Sequence, residues 1–128
     1  MRPETLEWVE IAEGDFQTAS REATVTNAPN FSAVCFHCQQ SAEKYLKAVV
    51  TEHSIYFSKT HDLEILLASV CTVAPEATSP SQAAKALTGY GIDVRYPGGR
   101  PDAHPAKEAL SDCATIRSLL RSSLGLPV

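Results

Sequence analysis

Arg95, Tyr96, Arg100, Asp102 and His104, side chains able to do chemistry, crowd into residues 92–105, IDVRYPGGRPDAHP. A histidine titrates nearest neutrality and serves as general acid or base. An arginine presents a forked donor that steadies charge on a phosphate. Arg95 or Arg100 acting with His104 is therefore the candidate catalytic set. The structural alternative gives His104 the cap of the next helix, ahead of Pro105, and pairs the arginines with Asp93 and Asp102. Tyr96 has two readings as well. Exposed, it contacts a partner protein or accepts a nucleotidyl group; packed, it is a lid over the core, as aromatics with a polar tip often are.

These residues lie in a loop by backbone chemistry, since the segment holds three prolines and two glycines. The elements around it read as helices. Pro3 suits the first position of a helix running to about Ala23, with Leu6, Val9, Ala12, Phe16, Ala19 and Ala23 inward. Gly14 inside it marks a close crossing, because glycine costs about 1 kcal/mol relative to alanine there. Asn30 caps the longest clean pattern, which runs to about His53. Its stripe is Phe31, Val34, Cys35, Cys38, Ala42, Tyr45, Leu46 and Val49, and its polar side carries His37, Gln40, Ser41, Lys44 and Lys47. Thr60 caps a third helix over residues 61–70 with Leu63, Leu66, Leu67 and Val70 inward. His61 and Asp62 open it, and a helix start is a ready anion site unless Thr60 and Asp62 simply satisfy the free N–H groups. Ser79-Pro80-Ser81-Gln82 reads as a capping box for a short fourth helix, with Ala83, Ala84, Leu87 and Tyr90 inward. A fifth begins at Pro105 and ends near Leu124.

Five helices and no convincing strand predict an all-α bundle, and 128 residues suit one domain over 1–128. Net charge is −4, so a nucleic-acid site would have to be a local patch. No run of 18 apolar residues exists, so no membrane association is expected. The start lacks the basic residues and apolar run of a secretory signal, which predicts a cytoplasmic protein with reduced thiols. Cys35 and Cys38 form a C-x-x-C without a second pair, so they read as buried small hydrophobes and no metal is expected. No glycine-rich phosphate cradle occurs and no cofactor is implied. Val50, Ile55, Tyr56 and Phe57 are apolar positions left over from the stripes. Taken as an exposed patch, they predict a homodimer.

FHCQQSAEKYLKAVV at residues 36–50, THDLEILL at 60–67 and DVRYPG at 93–98 come in the order and spacing of the HEPN family, which the chain resembles over nearly its whole length. The resemblance implies an up-and-down helical bundle, a homodimer, and for many members a neighbouring minimal nucleotidyltransferase forming a toxin–antitoxin pair. Some members are metal-independent endoribonucleases; others bind nucleotides or protein partners without catalysis. It places His37, Lys44 and Lys47 near a dimer groove where cations meet phosphate. A surface ion pair of Glu43 with Lys47, four residues apart, explains the same residues without a ligand. Catalytic members carry an arginine and a histidine separated by four to six residues. Here eight residues separate Arg95 from His104 and three separate Arg100 from His104. The favoured expectation is a non-catalytic nucleotide-, RNA- or partner-binding component, with His37, Lys44, Lys47, His61 and Tyr96 as contacts. The alternatives are an endoribonuclease using Arg95 or Arg100 with His104, and a purely structural dimerisation module.

Overall fold

A computed structural model describes residues 1–57, 59–78, 80–91, 94 and 96–128. Its α-helices are α1 (Pro3–Ala23), α2 (Phe31–Glu52), α3 (Leu63–Cys71), α4 (Ser81–Thr88) and α5 (Ala103–Ser123). Short 3₁₀ turns cover Pro75–Thr78 and Gly89–Gly91, and the described residues contain no strand.

The molecule is built around α2. No residue from Phe31 to Glu52 is fully exposed, because α1, α3, α4 and α5 all pack on this helix. Asn30 starts it as expected: its side chain accepts from the Ala33 N–H at 3.0 Å. Ser54 ends it in the left-handed region, with φ +56°, while Ile55 N–H returns to Val50 O at 2.8 Å. α1 lies antiparallel to α2. Arg2, at the start of α1, bonds Thr51 O and Ser54 Oγ at the end of α2, and Glu22, near the end of α1, accepts from Asn30 N–H. α5 runs alongside α2 in the same direction, so Cys38 meets Cys113 and Tyr45 meets Arg121.

The core is Val34, Leu46, Val49, Leu66, Ile116 and Leu120 with their neighbours. Cys35, Cys38 and Cys113 are buried free thiols, as expected, and Cys71 is half-buried. Burial raises the Cys35 thiol to about 11, and hydrogen bonding to Cys113 followed by burial pushes Cys38 up as well. Thiols held protonated in this way are poor nucleophiles.

Several expectations need correction. Leu6 is 44% exposed and Ala23 is also exposed; Thr5 takes the inward place with Val9, Ala12 and Ala19. Gly14 marks no close crossing within the chain, since a Cβ built there meets nothing within 4 Å. Asp62, not Thr60, caps α3, accepting from Glu64 N–H at 2.9 Å, while Thr60 Oγ1 accepts from Asp62 N–H. α5 starts two residues before Pro105, whose missing N–H costs nothing in a first turn. His104 is therefore inside the helix and is not its cap. Ser79 of the expected capping box lies outside the described residues; Pro80 takes the cap position without a side-chain bond. Finally, Val50 is buried and Ile55 and Phe57 pack against the core. Of that supposed surface patch only Tyr56 stands out, at 88% exposure.

Candidate functional site

The polar residues of α2 divide into those satisfied inside the chain and those that border a cleft. Glu43 is nearly fully buried and is the hub of the first group. It accepts from Lys47 Nζ at 3.0 Å, His61 Nδ1 at 2.8 Å and Gln39 Nε2 at 3.2 Å. Gln39 Nε2 also bonds His61 O at 3.1 Å, and Gln40 Nε2 donates to Gln39 Oε1 at 2.7 Å. Lys47 Nζ lies 5.5 Å from the Trp8 ring and 5.9 Å from the Phe57 ring, which favours its charge. Lys47 and His61 are thus brought together around one carboxylate, which pairs with the Lys47 ammonium and accepts from the His61 ring.

Asp15 of α1 does the same for His37 and Lys44. Its carboxylate takes His37 Nδ1 at 2.8 Å and Lys44 Nζ at 2.7 Å. Ser41, expected on the polar side of α2, is buried and donates to Ala12 O at 2.8 Å. A third cluster, absent from the sequence-based expectations, joins α1, α2 and α5. Arg117 grips Glu13 with two bonds of 2.8 Å, the Tyr45 hydroxyl donates to Glu13, and Arg121 Nη1 donates to Tyr45 at 3.0 Å. The Arg117 bonds, against the opposing effect of burial and aided by Tyr45, hold the Glu13 carboxyl down at about 2. Burial, then the bond to Glu13, pushes the Tyr45 phenol up to about 12.

The second group lies at the start of α2. A cleft of about 440 Å³ is lined by Asn30, Ser32, Val94, Tyr96, Pro97 and Arg100. A shallower hollow of about 190 Å³ shares Asn30, Ser32 and Val94 with it and continues to Phe36 and His37. The loop wall is shaped by a tight turn. Gly99 N–H returns to Tyr96 O at 3.2 Å, with proline second and Gly98 third at φ +89°. That order is what a type II turn requires, since only glycine takes the positive φ without strain. The turn presents Tyr96, 63% exposed and no lid, with Arg100 just beyond it. Among the described residues no carboxylate forms an ion pair with Arg100, so the expected pairing with Asp102 does not occur. Asp93 and Arg95 lie outside the described residues.

His104 belongs to neither group. Its side chain is 81% exposed on the first turn of α5, paired with Glu108 one turn on. It lines neither the cleft nor the hollow. Among the described residues no cluster of three His, Cys, Asp or Glu is arranged to hold a metal.

The sequence pattern of the HEPN domain matches residues 5–123. The chain belongs to the HEPN domain family. TT1696 from Thermus thermophilus, known from its crystal structure, has the same fold. The two superpose with a TM-score of 0.81 over 94% of this chain and 98% of that one, at 24% identity. No curated protein matches the chain. The three HEPN-like sequence blocks now have a structural reading. FHCQQSAEKYLKAVV builds the enclosed helix with its Glu43 and Asp15 pairings, THDLEILL supplies His61 and the Asp62 cap, and the YPG of the third block makes the turn that carries Tyr96. Two of the blocks therefore serve the interior, and the third shapes the cleft. No helix among the described residues is long and apolar enough to cross a membrane.

Proposed function

We propose that this HEPN domain is a binding component that takes a nucleotide or RNA in the cleft at the start of α2. It acts with a minimal nucleotidyltransferase in a toxin–antitoxin pair, as a cytoplasmic homodimer without catalysis of its own. The observation that carries the binding reading is the contrast in the placement of cations. Arg100 faces a cleft beside an exposed tyrosine, with no carboxylate on it among the described residues. His104, the base an endoribonuclease would need, stands in open solvent paired with Glu108. A general base has to come within hydrogen-bond reach of the proton it removes, and a concave site is what holds substrate there. The partner and the pairing of two copies come from family membership, which guides function by analogy.

The test is to express the tagged protein in its own cells and identify what co-purifies by mass spectrometry, together with a growth assay of His104→Ala. A co-purifying nucleotidyltransferase, and a growth effect that His104→Ala leaves unchanged, support the proposal. Relief of growth arrest by His104→Ala, with loss of RNA cleavage, would replace it with the endoribonuclease reading. A monomer by light scattering at micromolar concentration would remove the dimer.

A further inference from the structure

Independently of the cleft, we infer that a second pocket, between the end of α1 and the start of α5, binds an apolar monocarboxylate of the medium-chain fatty-acid class. Chain direction creates the pocket. α1 runs against α2 and α5 runs with it, so the last turn of α1 meets the first turns of α5. Further along, Arg117 clamps the two helices with its bonds of 2.8 Å to Glu13. At this end the facing side chains include Ala23 and Ala106, which are too short to close the gap. About 380 Å³ is left, within the range of small-ligand sites, roughly 300–1,000 Å³. Among the described residues the pocket shares no lining with the cleft or its hollow.

The walls select the body of the ligand. Phe31 of α2 and Leu110 of α5 line the pocket with part of their surface and rest on the core with the remainder, while Ala106 is buried. Water gains little from such a surface, and a hydrocarbon that displaces it is favoured. A pocket of this size buries one short alkyl chain over most of its length, as small-ligand sites do.

The few polar groups select its head. The Thr24 hydroxyl is spent on Arg21 O at 2.7 Å. The side chains of Ser20, on α1, and Lys107, on α5, make no hydrogen bond or ion pair with another described residue, so both keep donors to spare. Lys107 brings positive charge to the lining, and among the described residues no acid lines it. The acids nearby in sequence stand apart from it: Glu22 accepts from Asn30 N–H, Glu108 pairs with His104, and neither they nor Asp102 borders the pocket. An ammonium and a hydroxyl with donors free, on opposite helices of an apolar pocket, complement one carboxylate. An alcohol of the same length leaves the charge unmatched, and an amine is repelled by it.

Heteronuclear NMR titration of the full chain with octanoate, hexanoate, octanol and octylamine tests this. Octanoate should bind saturably and shift the amide signals of residues 20–24, Phe31 and residues 103–110. Hexanoate should bind about tenfold more weakly, since it buries two fewer CH₂ groups. Octanol should also bind about tenfold more weakly, and octylamine more weakly still. Lys107→Gln should bring octanoate down to the affinity of octanol and leave octanol unchanged. Ala23→Phe, at an exposed position in the last turn of α1, should fill the pocket and abolish both. Lys107 is exposed as well, so its variant decides the matter even if Ala23→Phe fails to fold. Octanol or octylamine binding as tightly as octanoate overturns the carboxylate. Shifts around Tyr96 and Arg100 instead, or octanoate binding untouched by Lys107→Gln, overturn the site. No saturable binding at millimolar concentration overturns the inference whole and leaves the cleft reading standing.

Discussion

The middle of α2 and the loop that faces its first turn carry similar residue types and put them to opposite uses. In the middle, Glu43 and Asp15 collect Lys47, His61, Lys44 and His37, and each of these side chains ends in a bond inside the chain. At the first turn, Arg100 and Tyr96 reach the same helix from a loop and border an open cleft. A lysine on a helix face is thus not by itself a phosphate contact. The deciding quantity is whether the fold supplies a carboxylate within about 3 Å, since a buried charge without one is costly.

The contrast is broken most sharply at Glu43. Glu43→Ala leaves Lys47 largely desolvated without its acid and strips His61 and Gln39 of their acceptor. The expected loss is about 3 kcal/mol, read from urea denaturation, because removing one partner of a buried pair strands the other. Glu43→Gln keeps an acceptor and should lose less. If Glu43→Ala unfolds at the wild-type urea concentration, the middle of α2 is not held by this network. Tighter phosphate binding by the variant would further mean that Lys47 had been released for a ligand.

The next effect is a pH dependence. Glu13 is depressed from 4.5 to about 2 in the folded chain, chiefly by Arg117. A carboxyl whose pKa is lower when folded stabilises above its unfolded value, and that stability drains away as pH falls from about 4.5 through about 2. Unfolding free energy should drop by about 2 kcal/mol across this window, allowing for partial solvent screening. Glu13→Gln should flatten the slope and be less stable at neutral pH. A wild type and Glu13→Gln with parallel pH profiles would show that the Arg117 clamp adds nothing.

Much of the fold was legible because helices announce themselves locally. Pro3, the Asn30 cap and the stripe from Val34 to Val49 place α1 and α2 within a residue of where the structure has them. What escaped was whatever depends on partners far along the chain. The polar side of α2 looked solvated because His61, Asp15 and Ala12 lie 18 to 29 residues from their α2 partners and local spacing cannot see them. Periodicity alone turns Leu6 inward, whereas the structure buries its neighbour Thr5 and leaves Leu6 44% exposed. Asp62 and Thr60 both suit a cap, and only the geometry chooses. The placement of Tyr96 beside Arg100 was partly readable: the Y-P-G-G order specifies the turn. The cleft opposite it needs Asn30 and Ser32, more than sixty residues earlier.

Gly14 gives the smallest effect and tests whether the satisfied part of the molecule ends at α1. It sits mid-helix with open space where a Cβ would be, so nothing inside the chain needs a glycine. Alanine there restricts the unfolded chain and suits the helix, which should stabilise the protein by about 0.5–1 kcal/mol. Thermal and urea denaturation of Gly14→Ala measure it. A stabilised variant with the wild type's association state, judged by light scattering, confines the glycine to a local cost without a use. If the wild type is the proposed dimer, a stabilised variant that is a monomer would instead show that α1 of one copy meets a helix of the other closely at this point. That would give the outer face of α1 the same character as the first turn of α2, a surface left unfilled because its partner is outside the chain.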